Sequence, residues 1–135
     1  MIKFISFRLD SGTNMCVSNC LKYFSQLFRR RIGVKLGAEV NSHSKGVGIV
    51  LVSAPEYPSK LIALYSTFFV PRDSTCTISN DTLKKCAGFK KVMMGTGNQV
   101  HLTHHNGSQM SLPLSTCDSI NYISFNIYAP TRETI

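Results

Sequence analysis

Histidine, cysteine and lysine carry most of the chemistry this sequence can offer. Three of its four histidines, His101, His104 and His105, fall close together, and cysteines stand at positions 16, 20, 76, 86 and 117. A nucleophile with an adjacent base, or a tetrahedral metal site, needs such side chains in fixed mutual geometry. The spacing does not supply it. His101 and His104 are an odd number of residues apart, so a strand sends them to opposite faces. The sequence holds no Cys-x-x-Cys pair, no HExxH, no nucleophile elbow and no glycine-rich phosphate loop. Carboxylates are few and scattered (Glu39, Glu56, Asp73, Asp81, Asp118), which leaves no pair for acid–base work of the glycosidase kind. The expectation is a non-catalytic protein without metal or cofactor.

Lysine is better placed. Lys84-Lys85 and Lys90-Lys91 bracket Phe89, and basic residues around one aromatic suit an anionic backbone with a stacked ring, or a solvated loop. The whole chain is basic, with 15 Lys+Arg against 7 Asp+Glu. Residues 1–40 hold seven basic side chains, among them Arg29-Arg30-Arg31, and two acidic ones. That front end fits a nucleic-acid arm, a helix on an anionic membrane, a transit peptide or a plain solvated edge.

Composition bounds the class. A 135-residue chain that is 43% hydrophobic and 16% charged is one core-forming domain rather than a disordered segment. No apolar run approaches the roughly 18–20 residues that span a bilayer. Arg8 and Asp10 interrupt the first apolar stretch, so no secretory signal is expected. Five cysteines is an odd count, which points to reduced thiols in a cytosolic-type compartment rather than a disulfide framework.

The elements that must position these residues are mostly strands. Ile2–Leu9 alternates as a strand. Val17, Cys20, Leu21, Phe24, Leu27 and Phe28 recur at three- and four-residue spacing, which predicts a helix over 17–28, with Asn14 or Ser18 as its cap and the arginines at its end. Strands are expected at Ile32–Val40, Val47–Ser53, Lys60–Val70, Thr75–Ser79, Gly88–Met94, Gln99–His104, Gln109–Leu112 and Ile120–Ala129. Turns are expected at Asn41–Gly46, Pro71–Ser74, Asn80-Asp81 and Gly95–Asn98, and Asn106-Gly107 marks a hairpin. The pattern reads as an all-β chain, an antiparallel β-sandwich over residues 32–135, with residues 1–31 as a basic strand-and-helix extension.

A resemblance appears in the order of these strands. Ile62-Ala63-Leu64-Tyr65-Ser66-Thr67-Phe68-Phe69-Val70-Pro71-Arg72 runs into Pro-Arg, and Thr77-Ile78-Ser79-Asn80 follows. Val100–Gly107 then leads through Leu112-Pro113-Leu114 to Ile120–Ile127, with Val34–Val40 and Gly48–Ser53 ahead. Over roughly residues 32–128 this resembles the galectins, the β-galactoside-binding lectins. The resemblance implies a jelly-roll-like sandwich with a sugar site, exported without a signal peptide or kept in the cytoplasm. Arg72 matches the family's Arg, Asn80 its next Asn, and Phe89 beside Gly88 takes the place of its Trp. Phe68 and Val70 replace the family's sugar-binding His and Asn, and Lys90-Lys91 replace its acidic position. The site so implied (Arg72, Asn80, Phe89) suits an anionic glycan, sulfated or sialylated, or a protein partner. The alternative is a structural protein of viral capsid or matrix type that binds nucleic acid or anionic membrane through Arg29, Arg30 and Arg31. Either reading is compatible with a homodimer.

Overall fold

The computed structural model describes residues 2–10, 15–36, 40–73, 75–95 and 98–128; the side chains of 2, 3, 30–36, 40–43 and 86 lie outside the description. The strands are β1 (Ile2–Leu9), β2 (Cys16–Ser18), β3 (Phe24–Leu36), β4 (Val40–Ser53), β5 (Ile62–Phe69), β6 (Cys76–Ile78), β7 (Lys91–Gly95), β8 (Gln99–Thr103), β9 (Gln109–Cys117) and β10 (Ile120–Tyr128). One α-helix, α1 (Asn80–Ala87), follows β6, and a 3-10 turn covers Leu21–Tyr23. The chain is all-β in class.

The strands form one sheet in the order β3-β4-β5-β2-β6-β1-β10-β9-β8-β7. The β1–β6 and β2–β5 pairs are parallel and the others antiparallel. The sheet also meets itself. β10 returns to β4 through Asn126 opposite Ser53 and Ile127 opposite Val52, which closes a ring through β4, β5, β2, β6, β1 and β10. Alternation then sends every second side chain into one core. Phe7, Phe24, Leu64, Ile78, Leu102, Ile123, Phe125 and Ile127 fill it, and Phe7 meets Phe125 edge-on with ring centres 5.7 Å apart. The opposite face carries a register row of Tyr122, Arg8, Thr77, Val17, Phe68, Val47 and Phe28. Val17 and Val70 bury there as a second, small apolar cluster.

The expected helix over Val17–Phe28 is absent. Its residues form β2, the 3-10 turn and the start of β3. The cause is a bulge: the β3–β4 register shifts between Phe24 and Gln26, so the buried side chains Phe24 and Leu27 fall three apart on a strand. A three-residue apolar spacing therefore arises without helical backbone. The expected turn at Asn41–Gly46 is likewise strand, and β4 runs through it. Gly46 and Gly48 sit there because β3 crosses closely. A Cβ on Gly46 would lie 2.7 Å from the Phe28 carbonyl oxygen, and one on Gly48 would run into the Gln26 carbonyl. In place of the turn at Asn80-Asp81 stands α1. Ser79 caps it, accepting from the Thr82 amide while the Thr82 hydroxyl accepts from the Ser79 amide, and Gly88 ends it in the left-handed region at φ 74°.

The strands expected at Ile2–Leu9, Val47–Ser53, Lys60–Val70, Thr75–Ser79, Gln99–His104, Gln109–Leu112 and Ile120–Ala129 and the Asn106-Gly107 hairpin are present, with Thr103 opposite Gln109. The strand expected over Ile32–Val40 is not one strand: Ile32–Leu36 closes β3, Val40 opens the antiparallel β4 opposite Leu36, and residues 37–39 lie outside the described residues. The strand expected from Gly88 begins only at Lys91, because Gly88 caps α1. β9 and β10 join through Asp118 and Ser119, both at positive φ, as a two-residue hairpin turn requires. β3 runs unbroken across position 31, and β1 lies between β6 and β10, so residues from the N-terminal segment pair within the common sheet. Asn14, residues 96 and 97, and Ala129 lie outside the described residues.

Candidate functional site

Arg72 lies exposed in the turn after β5 and makes no ion pair among the described residues. Asn80 is the first residue of α1, half-buried, with its Oδ1 unpartnered. Phe89 is 3% exposed and packs in the core, its ring centre 4.7 Å from that of His104, so it offers no open stacking face. No hydrogen bond, ion pair or ring contact among the described residues joins the three to one another.

What Phe89 does instead is anchor a basic surface. Its buried ring fixes the link from α1 to β7, and the Lys90 amide donates to the Thr103 carbonyl at 2.8 Å. Lys84 and Lys85 are held on the last turns of α1, where cations complement the helix dipole. Lys91 is held by its register with Thr103. All four lysines are exposed, and His104 and the exposed His105 border them. The local carboxylate is Asp81, 3.0 Å from Lys85 one helical turn away. That pair is exposed and contributes a few tenths of a kcal/mol. Lys84, Lys90 and Lys91 have no ion pair among the described residues. This lysine-rich stretch has little counter-charge of its own, and exposed cations of that kind attract anions. The sequence signals it through the two lysine pairs, but at Asn80-Asp81, where α1 begins, turn propensity masks the helix that carries one of them.

The second basic segment is the β3–β4 ribbon. Arg29 is exposed, and the β3–β4 register breaks between Arg29 and Ile32; the side chains of Arg30 and Arg31 lie outside the description. Five of the chain's Lys and Arg fall within residues 29–45, against one acid, Glu39.

The histidines and cysteines are placed apart. His101 Nδ1 lies 2.7 Å from Ser111 Oγ, a cross-strand pair between β8 and β9, and its ring lies over Gly95 of β7, so a Cβ there would displace the ring. Ser111 is the hydrogen-bond partner that the structure gives the His101 ring. No three His, Cys, Asp or Glu among the described residues come together to hold a metal. Cys16 and Cys76 are buried, Cys20 is half-buried and Cys117 exposed; the Cys86 side chain lies outside the description. Burial pushes the Cys76 thiol above its ordinary value, and burial likewise raises Tyr23. No helix among the described residues is long and apolar enough to cross a membrane. Comparison with protein-family models, curated proteins and solved structures returns no match for this chain.

Proposed function

We propose that this protein is a non-catalytic binding module that holds an anionic glycan, sulfated or sialylated, on the lysine surface between α1 and β7. The observation that carries the reading is the four exposed lysines at 84, 85, 90 and 91, anchored by Phe89 and β8 and faced by one carboxylate already engaged by Lys85. A galectin-like, two-layered arrangement of the sheet belongs to the same proposal, supported by the single large core shared by β1, β5, β8, β9 and β10.

A second reading has the ribbon of β3 and β4 bind nucleic acid. Its support is the concentration of cations within residues 29–45, because a two-stranded ribbon fits the major groove of a duplex. Titrating a sulfated oligosaccharide, a neutral galactoside and duplex DNA across salt separates the two. The first reading expects the sulfated sugar to bind best and the Lys84/Lys85/Lys90/Lys91→Gln variant to lose at least tenfold. Tightest binding to DNA, unaffected by the lysine changes, would overturn the first reading and favour the second.

A further inference from the structure

Two cysteines away from the lysine surface meet where β2 packs on β6. The two strands run antiparallel with Val17 opposite Thr77, so the next step along sets Ser18 beside Cys76. The Cys76 thiol donates to Ser18 Oγ at 3.8 Å and to Asn19 Oδ1 at 3.4 Å. The same Ser18 hydroxyl accepts from the Cys20 amide at 3.3 Å, and the chain bends at Asn19, so residues 18–20 wrap around the Cys76 sulfur. The Asn19 side chain is tied in turn to the Asp73 carbonyl at 3.2 Å. The two sulfurs sense each other. Burial raises the Cys76 thiol first, and the charge of the nearby Cys20 raises it further. Tyr23, likewise raised by burial, feels the charge of both cysteines and hydrogen-bonds the Cys20 side chain. Cys20 and Cys76 are thiols, not a disulfide.

We propose that Cys20 and Cys76 form a dithiol site oxidised by hydrogen peroxide, with Cys20 as the attacking sulfur and Cys76 as the resolving one. Exposure sets the roles. Cys20 is half-buried and open to a small oxidant, whereas Cys76 is 4% exposed and kept protonated by burial. The Cys20 thiolate attacks one peroxide oxygen and the O–O bond breaks. A sulfenic acid forms on Cys20, and the departing hydroxide takes up a proton as water. The Cys76 sulfur then attacks the Cys20 sulfur, the S–O bond breaks, and hydroxide leaves with the Cys76 proton as a second water. Two thiols and one peroxide thus give one disulfide and two waters. Cys20 stands between β2 and the 3-10 turn, outside both, so the short movement that bonding geometry requires breaks no strand pairing. Exposed Cys117 has a different neighbour: the Asp118 carboxylate lies 4.0 Å from its sulfur and disfavours the thiolate. The site is separate from the lysine surface and stands whether or not that surface binds glycan.

The test treats the full chain with equimolar hydrogen peroxide, blocks the remaining thiols and maps linked peptides by tandem mass spectrometry, which also tells Cys20 from Cys16. The proposal expects an intact chain lighter by two hydrogens, a Cys20–Cys76 link, and full reversal by dithiothreitol. In Cys76→Ser the sulfenic acid has no resolving thiol, so dimedone is expected to label Cys20 on the order of tenfold more than in wild type. In Cys20→Ser, which leaves the buried sulfur in place, Cys76 is expected to stay reduced at the same dose; this variant decides if Cys76→Ser does not fold. No intramolecular link in wild type, another cysteine pair as the main product, equal dimedone labelling of Cys20 with and without Cys76, or oxidation of Cys76 at the wild-type rate in Cys20→Ser would overturn the proposal.

Discussion

Cys76 shows how one side chain ties stability to pH. Its burial on β6 raises the thiol above 9.0, a shift that hydrogen bonding with the Asn19 backbone and the Ser18 side chain opposes more weakly. The folded protein thus holds neutral a group that the unfolded chain ionises near its ordinary value. Stability is then complete below about pH 9 and falls as pH rises through the folded value. Tyr23, raised by burial from 10.0, acts in the same direction at higher pH. Denaturation midpoints measured from neutral to about pH 10 are expected to drop above pH 9, and Cys76→Ala should flatten the drop. A second residue-scale prediction concerns Gly48. A Cβ there meets the Gln26 carbonyl oxygen, which is backbone and has nowhere to move. Gly48→Ala is expected to lower stability toward the upper end of the roughly 1–3 kcal/mol typical of overpacking, read by urea denaturation. Site residues were the least legible part of the sequence. Phe89 stood out as the aromatic among lysines, but one sequence cannot say whether a lone ring points outward or, as here, into the core.

At the scale of elements, α1 depends on its two ends. Ser79→Ala removes the acceptor for the Thr82 amide and is expected to cost about 1 kcal/mol. Gly88→Ala forces a side chain into a left-handed conformation and is expected to cost a similar amount, about 1 kcal/mol. Thermal unfolding of both variants checks these values. Both end signals were present in the sequence: Ser79 with Thr82 three residues on, and Gly88 eight residues after Asn80. They were outweighed by the turn propensity of Asn80-Asp81. The strands and the Asn106-Gly107 hairpin were legible because alternation and turn chemistry agree there. The helix expected over Val17–Phe28 failed where they disagree. The bulge after Phe24 shifts the two-residue period of a strand to a three-residue spacing, and hydrophobic periodicity alone cannot separate that from a helix.

For the whole molecule, ring closure divides the sheet into regions of unequal stability. β1 and β10 lie within the ring and bury Phe7, Ile123, Phe125 and Ile127 completely, whereas β7 ends the sheet order and buries none of its side chains fully. Amides of β1 and β10 are expected to exchange together and slowest in native-state hydrogen exchange, with those of β7 exchanging first. Ile127→Ala, at the contact between β10 and β4, is expected to cost about 2–5 kcal/mol. The edge position of β7 matters for function as well, because the lysine surface begins at its first residue and binding there should slow its exchange. The most direct measurement is a map of backbone amide shifts as a sulfated oligosaccharide is added at moderate salt. The proposed function predicts saturable shifts centred on Lys84–Lys91 and on His104 and His105, fading as salt rises. Shifts centred on residues 29–45, or none that saturate, would contradict it.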